Sequence, residues 1–487
     1  LTLHDLTPQP LWQIFSDICK IPRPSHHETL ITQTIQKWAK EHNIACEIDA
    51  VGNLLLKKPA TAGYENRKTV VLQAHLDMVP QKRDNKVHDF TKDPIIPQIK
   101  DGWVTATDTT LGADNGIGMA SALALLFDKT TEHGPLEVLL TASEETGMVG
   151  AFGLQPNWLT ADIMINTDAE EEGEIFVGCA GGTDVLMHLP IKRVDVTRNK
   201  NFYEISVHGL KGGHSGIDIH KGLGNANKLL AQLLAKIACQ FELDIAHIEG
   251  GTLRNAIPRK AIAIVALKPE TVGAIEKLIA DELNEMHSIY HAKEPGLSMS
   301  IQTASLNNTN TQVLDFESMT TLINLLNAHP NGVSRMSDAA IGVTETSLNL
   351  GVIEAHETQI TIISLVRSLI DSGKVFLVNE LKSLASIAGA EFTCQNDYPG
   401  WAPDVSSPML QIAKQTYESL YGTELKTMII HAGLECGLLK KPYPNLDVIS
   451  IGPTIKRAHS PDECVEIASV EKYWNLLTHI LKDIPVK

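Results

Sequence analysis

The chain is poor in positive charge. Among its 487 residues Lys and Arg number 41 against 58 Asp and Glu, which leaves a net charge of −17. A surface of that sign repels a phosphate backbone, and no basic run or aromatic-plus-basic stripe offsets it. Nucleic-acid binding is therefore excluded. Long apolar runs are also missing, since none approaches the roughly 20 residues that span a bilayer. The opening stretch, L-T-L-H-D-L-T-P-Q-P-L-W, has neither the basic nor the apolar region of a secretory leader. Cysteine is sparse, with seven residues at 19, 46, 179, 239, 394, 436 and 464 and no Cys-x-x-Cys. An odd, scattered set reads as reduced thiols of a cytoplasmic protein, not as a disulfide framework or a cysteine-only zinc site.

What remains is the composition of a soluble globular protein, 43% apolar and 20% charged. At this length one core is not enough, so two or more domains are expected. Residues 8–42 read as two helices separated by Ile21-Pro22-Arg23-Pro24, with Ser25 as cap of the second and Glu28 three residues on. Residues 69–80, T-V-V-L-Q-A-H-L-D-M-V-P, then form a buried strand ending in His75-x-Asp77. Residues two apart on a strand share a face, so this imidazole and carboxylate stand side by side. A strand's carboxyl end is the usual ligand position in an open α/β sheet.

The pattern repeats along the chain. The loop Gly112-Ala113-Asp114-Asn115-Gly116-Ile117-Gly118 opens an Ala/Leu helix. It lacks the Gly-Lys-Ser/Thr of a phosphate loop and the spacing of a dinucleotide fingerprint, which excludes both. Strands at 136–141 and 162–166 end in Glu144-Glu145 and in Asp168. Successive strand ends or adjoining loops thus deliver His75/Asp77, Asp114, Glu144/Glu145 and Asp168. Unpaired carboxylates gathered in this way repel one another unless a cation is present. Texture changes after Gly181-Gly182, and residues 187–391 read as a separate α/β sandwich inserted into the first domain (1–186 and 392–487). Within it a helix, two strands and a helix from 318 to 388 weakly repeat the preceding order, an internal duplication. First-domain texture then returns, with Gly433-Leu434-Glu435-Cys436-Gly437 and Arg457-Ala458-His459-Ser460-Pro461-Asp462-Glu463.

Two histidines and three carboxylates (His75, Asp114, Glu145, Asp168, His459) meet the needs of a two-metal hydrolase, with one carboxylate between the ions. Such nitrogen and oxygen ligation suits zinc, with manganese or cobalt as substitutes. Glu144 and Glu145 point oppositely on extended backbone, so one can bind metal while the other serves the water. Spacing assigns neither role to either.

A-H75-L-D77-M-V-P, G-A-D114-N-G-I-G, S-E144-E145-T-G, N-T-D168 and A-H459-S-P, in this order, resemble the di-zinc aminoacylase/carboxypeptidase clan of metallopeptidases. The resemblance covers nearly the whole chain. It implies an α/β exopeptidase-like catalytic domain, a mixed sheet flanked by helices, with an inserted lid and dimerisation domain. By the same resemblance His75 and Asp168 hold one zinc, Glu145 and His459 the other, and Asp114 bridges them. Asp77 orients His75, Glu144 is the general base, and the Asp114–Asn115 peptide bond is cis. His214, in G-G-H-S-G, resembles the lid histidine that stabilises the oxyanion. Asn255 and Arg367 are candidates for the substrate carboxylate, and Glu435 for its free amine. Aspartate at 168 resembles the branch that cleaves free dipeptides, and such a dipeptidase, as a cytoplasmic homodimer, is the expectation. Its rivals are an N-acyl amino acid or peptide deacylase on the same scaffold and a catalytically silent binding protein. None of the motif residues is lost, which argues against silence.

Overall fold

The computed structural model describes residues 2–304 and 312–487. The chain divides into two units, one of Leu1–Cys179, Trp401–Ile429 and Leu434–Lys487, the other of Ala180–Gly400 and Ile430–Gly433. The expected boundaries at 187 and 391 move outward. They fall within strands Gly181–Pro190 and Glu391–Tyr398, which pair with each other and so belong together in the second unit. No sequence texture marks the return of Ile430–Gly433. It is held to the second unit by the Ala180 amide, which donates to the Ile430 and Ala432 carbonyls at 3.0 Å each.

The first unit is built on an eight-stranded mixed sheet. Its order is Ala45–Ile48, Leu54–Lys58, Leu136–Thr141, Val70–His75, Ile163–Asn166, Asp447–Ser450, Glu174–Cys179 and Lys426–Ile430. The middle four strands, from Leu136–Thr141 to Asp447–Ser450, run parallel. Val70–His75 and Leu136–Thr141 are buried at every position, as strands covered on both faces must be. Helix Ala113–Phe127 supplies much of that cover. It is apolar around its circumference and buried from Ala113 to Leu126, so it sits inside the core. Helix Gln9–Cys19 packs through Trp12 and Phe15, whose rings meet edge to face with centroids 6.0 Å apart.

The second helix departs from expectation. It spans Thr29–Glu41 with Glu28 at its N-cap, and Ser25 does not cap it. Both side chains that resembled a capping box are used elsewhere, as described below.

The second unit is an antiparallel nine-stranded sheet with helices Ala226–Ala238, Val272–Tyr290, Phe316–Ala328 and Asp371–Ala388. Its first half takes the chain order strand–helix–strand–strand–helix–strand from Asn201–His208 to Ser298–Thr303. In space its strands lie as Ser298–Thr303, Asn201–His208, Ala261–Leu267, Asp244–Gly250, the split βαβ pattern. The other half repeats that pattern with Gly181–Pro190, Thr344–Ala355, Gln359–Ser368 and Glu391–Tyr398. The halves join where Asp244–Gly250 meets Thr344–Ala355, Glu249 facing Glu354 and Gly250 facing Ile353. The duplication is therefore complete. The first copy interrupts the second after its opening strand, which is why the second reads weakly along the chain.

Candidate metal centre

The site residues of the first unit gather at the carboxyl ends of its parallel strands. His75 closes Val70–His75, Glu144 and Glu145 follow Leu136–Thr141, and Asp168 follows Ile163–Asn166. Asp114 lies at a break in the first turn of helix Ala113–Phe127, where Asp114 and Asn115 leave helical geometry and the bond between them is cis. His459 sits beyond Asp447–Ser450 with φ 63, a left-handed backbone uncommon for a residue other than glycine. Ser143, just before Glu144, has φ 50. Such backbone clusters at functional sites.

Asp114 is shared between two histidines. Its Oδ1 lies 3.2 Å from His75 Nε2 and its Oδ2 3.0 Å from His459 Nε2. His75 Nε2 is also 3.5 Å from Asp168 Oδ1, and His459 Nε2 is 3.1 Å from Glu145 Oε2. Two groups result, His75–Asp114–Asp168 and Asp114–Glu145–His459, each with its ligand atoms within 4.8 Å of one another. A third, His75–Glu144–Glu145, borders both. Ligand atoms around a tetrahedral ion with bonds of about 2.1 Å sit about 3.4 Å apart, and the observed spacings surround that value. Asp168 Oδ1 and Glu145 Oε1 are buried without a hydrogen-bond partner. Stranding carboxylate oxygens in this way is costly, and a cation removes the cost. The donor set fits a pair of metal ions.

The electrostatics lead to the same need. Burial alone would lower His75, but Asp168, Asp114 and Asp77 raise it well above the usual imidazole range. Contacts with Asp114 and Glu145 lift His459 to about 11. Burial raises Asp168 to about 7, with Asp114 and Glu145 adding to the push and His75 opposing it. Glu144 is held well above its ordinary value by burial, with Glu435, Asp168 and Glu145 reinforcing and His75 opposing. The protein alone binds protons where it lacks positive charge.

A second layer fixes this geometry. Asp77 Oδ1 stands 3.3 Å from His75 Nδ1 and accepts the Glu144 amide at 2.9 Å. Its Oδ2 accepts the Glu145 amide at 3.2 Å and the Ser25 hydroxyl at 2.7 Å. Burial would raise Asp77, but His75, Ser25 and the Glu144 amide draw it down to about 2. Glu28 Oε1 accepts both the Ser143 amide (2.9 Å) and its hydroxyl (2.6 Å). Ser25 and Glu28, with Arg23 and Glu463 treated below, are the residues that sequence reasoning missed. The capping-box spacing was a signal of a different kind from the one it resembled.

Glu435 lies beside the same strands, fully buried. Its Oε2 accepts from Gln73 Nε2 at 2.8 Å and Thr141 Oγ1 at 2.7 Å, while Oε1 has no partner. Burial raises this carboxyl to about 7.

His214, Asn255 and Arg367 belong to the second unit. His214 Nδ1 accepts the amides of Gly216 (3.1 Å) and Ile217 (3.0 Å), which leaves the proton of the neutral ring on Nε2. Burial and then Arg367 lower its pKa and favour that neutral form. Arg367 is buried, donates from Nη1 to Tyr398 Oη at 2.9 Å, and keeps Nε unpaired. Asn255 is exposed, and its carbonyl accepts the Ser215 amide at 2.9 Å.

Residues 71–483 match the peptidase family M20/M25/M40. The cytosol non-specific dipeptidase of Escherichia coli (strain K12) is 54% identical over 485 residues, covering 100% of this chain and 99% of that protein. The crystal structure of aminoacylhistidine dipeptidase from Vibrio alginolyticus has a TM-score of 0.93 at 49% identity, over 100% of this chain and 99% of its own. Aminopeptidase PepT from Bacillus cereus ATCC 10987 shares the fold at a TM-score of 0.57 and 18% identity, over 98% and 99% of the two chains.

Proposed function

This chain belongs to peptidase family M20/M25/M40, and we propose that it is a metal-dependent dipeptidase that hydrolyses unblocked dipeptides, Xaa-His dipeptides such as carnosine among them. One observation carries the reading. The two oxygens of Asp114 face two separate histidines, at 3.2 and 3.0 Å, as a carboxylate shared between two ions would. In this proposal His75 and Asp168 would hold one zinc ion and Glu145 and His459 the other, with manganese or cobalt as substitutes. Bound there, such ions would supply Lewis-acid polarisation of the scissile carbonyl and a water whose pKa falls from 15.7 towards about 7.

The chain's own groups do the rest. Glu144, as the ionised carboxylate, takes the proton of the attacking water and passes it to the leaving amine. Asp77 keeps His75 Nδ1 engaged, so Nε2 faces the ligand side. The unpartnered Oε1 of Glu435 receives the substrate's free α-ammonium, which favours free dipeptides over acylated ones. In this reading the Nε2 proton of His214 stabilises the developing oxyanion. Asn255 and Arg367 take the substrate's terminal carboxylate. The reading includes a cytoplasmic homodimer that binds neither nucleic acid nor membrane. The net charge of −17 argues against nucleic-acid binding, and no helix among the described residues is long and apolar enough to cross a membrane.

The test is hydrolysis of a free dipeptide panel by wild type and Glu144→Gln, with metal counted in both. The expected result is an active wild type and a variant slowed about 10²–10⁴-fold that still holds two metals per chain. A wild type that holds two metals but cleaves only acetylated dipeptides makes this protein a deacylase.

A further inference from the structure

The loop that delivers Asp114, residues 111–114, is held through its backbone. Four consecutive amides converge on one side chain, Glu463. Leu111 and Gly112 donate to its Oε2 at 2.8 and 2.9 Å, and Ala113 and Asp114 donate to its Oε1 at 2.8 and 3.2 Å. Glu463 is 2% exposed. An ionised carboxylate is costly to bury, and four converging N–H donors are what makes it tolerable here.

The carbonyl side of the loop is held from the opposite direction. Arg23 Nη2 donates to Gly112 O at 2.6 Å, and its Nη1 donates to Leu76 O at 3.0 Å and Asp77 O at 2.5 Å. This guanidinium is also 2% exposed. Gly112 is required at the junction. Its φ is 68, and a Cβ there would lie 2.8 Å from Arg23 Nη2. Side chain and backbone thus grip the loop on both faces.

Glu463 has a second attachment. It sits four residues after His459 in one turn, closed by the Glu463 amide donating to Ser460 O at 3.0 Å. The segment that offers one imidazole therefore also fixes the loop of the shared carboxylate. Neither Glu463 nor Arg23 points a free atom at the ligand cluster, so each acts through its neighbours.

We infer that Glu463 is a positioning residue that sets the register of Asp114 against His459, with Arg23 as the opposing grip. The inference rests on the metal reading above. Loosening Glu463 should affect mainly the Asp114–Glu145–His459 group. The His75–Asp114–Asp168 group keeps its own anchors, because His75 and Asp168 are fixed by strands that Glu463 does not touch.

The experiment titrates metal-free wild type, Glu463→Gln and Glu463→Asp with zinc alone, followed by calorimetry. Near-ultraviolet circular dichroism of the metal-free proteins checks the fold. Wild type should take up two zinc ions. Glu463→Gln, which offers an NH₂ where two amides must be accepted, should bind one of them about 10–100-fold more weakly and the other nearly as before. Glu463→Asp keeps the charge and should recover part of the loss, which a merely bulky core residue would not. Should Glu463→Gln fail to fold, Arg23→Lys serves instead. It retains the charge but cannot fork to three carbonyls, and it too should weaken zinc binding. Two zinc ions bound with wild-type constants by Glu463→Gln, or by Arg23→Lys in its place, would overturn the positioning role alone. A wild type that takes up no zinc overturns this inference and the metal reading together.

Discussion

The hydroxyl of Ser25 donates to Asp77 Oδ2 at 2.7 Å, joining two residues 52 positions apart at a fully buried contact. That bond completes a carboxylate already engaged with His75 Nδ1 and with the amides of Glu144 and Glu145. Asp77→Asn removes the charge that orients His75 and replaces one acceptor with a donor facing an amide. Metal affinity should fall about 10–100-fold and kcat with it, read by competition with a chelator and by steady-state kinetics. Ser25→Ala keeps the charge. It should cost about 1.5–3 kcal/mol of stability, the range for a hydrogen bond to an ionised group, while the metal count stays at the wild-type value.

Glu435 separates the dipeptidase from its deacylase rival. Its Oε2 is committed to Gln73 and Thr141, and its Oε1 is free. Glu435→Gln can keep the two structural bonds yet loses the charge that would meet an ammonium. KM for free dipeptides should rise by one to two orders of magnitude with a smaller change in kcat, consistent with about 1.5–3 kcal/mol for a charge-assisted bond. Hydrolysis of acetylated dipeptides should change little, so the ratio of the two activities is the informative readout. An unchanged KM would remove Glu435 from the amine site.

Most of the cluster around Asp114 could be anticipated from sequence because His75, Asp114, Glu144, Glu145 and Asp168 follow strand ends or lie in a glycine-rich bend, and strand ends are visible in one dimension. His75-x-Asp77 after an apolar run is such a signal. The groups that hold those residues could not be read. Arg23 and Glu463 bind backbone atoms of loops 53 to 352 positions away, and backbone atoms leave no mark on a sequence. Ser25 and Glu28 were visible but ambiguous. Their spacing is that of a helix cap, and only the folded chain shows that both side chains reach across to Asp77 and Ser143. The second unit follows the same logic. Its first copy is continuous and legible, whereas the other is split around it, so the boundary expected at 187 cuts through its opening strand Gly181–Pro190.

His329 gives the second unit a pH dependence of its own. Its Nδ1 donates to Pro330 O at 2.8 Å, and its Nε2 stands 3.1 Å from Ser364 Oγ as acceptor, so the ring is held neutral. Burial, aided by the Lys228 ammonium and opposed by the Pro330 carbonyl, lowers its pKa to about 4. An unfolded chain takes up this proton near pH 6.5 and the folded chain does not. Stability should therefore fall as pH drops from about 6.5 to 4, by up to about 3 kcal/mol, and this contribution should level off below that window. His329→Asn should show a flatter dependence than wild type over the same range, measured by urea unfolding with chelator present. Parallel curves would mean that His329 titrates alike in both states.

Removing metal should reverse the pH preference of the first unit. Without a cation, His459 is raised to about 11 by Asp114 and Glu145, so the folded state holds a proton that the unfolded chain releases near 6.5. That contribution is full below pH 6.5 and lost as pH rises towards 11. Asp168, raised to about 7 chiefly by burial, acts in the same direction, since its contribution is lost between the ordinary carboxylate range and about 7. The chelated protein should thus weaken as pH rises. With zinc the sign is opposite, because metal binding needs these same groups deprotonated and its affinity grows with pH. Free zinc at 1,000 times its dissociation constant adds about 4 kcal/mol to the folded state. The difference in Tm between zinc-loaded and chelated protein should accordingly widen from pH 6 to pH 9. A gap that stays constant or narrows would mean that the imidazoles and carboxylates around Asp114 do not exchange their protons for the ion.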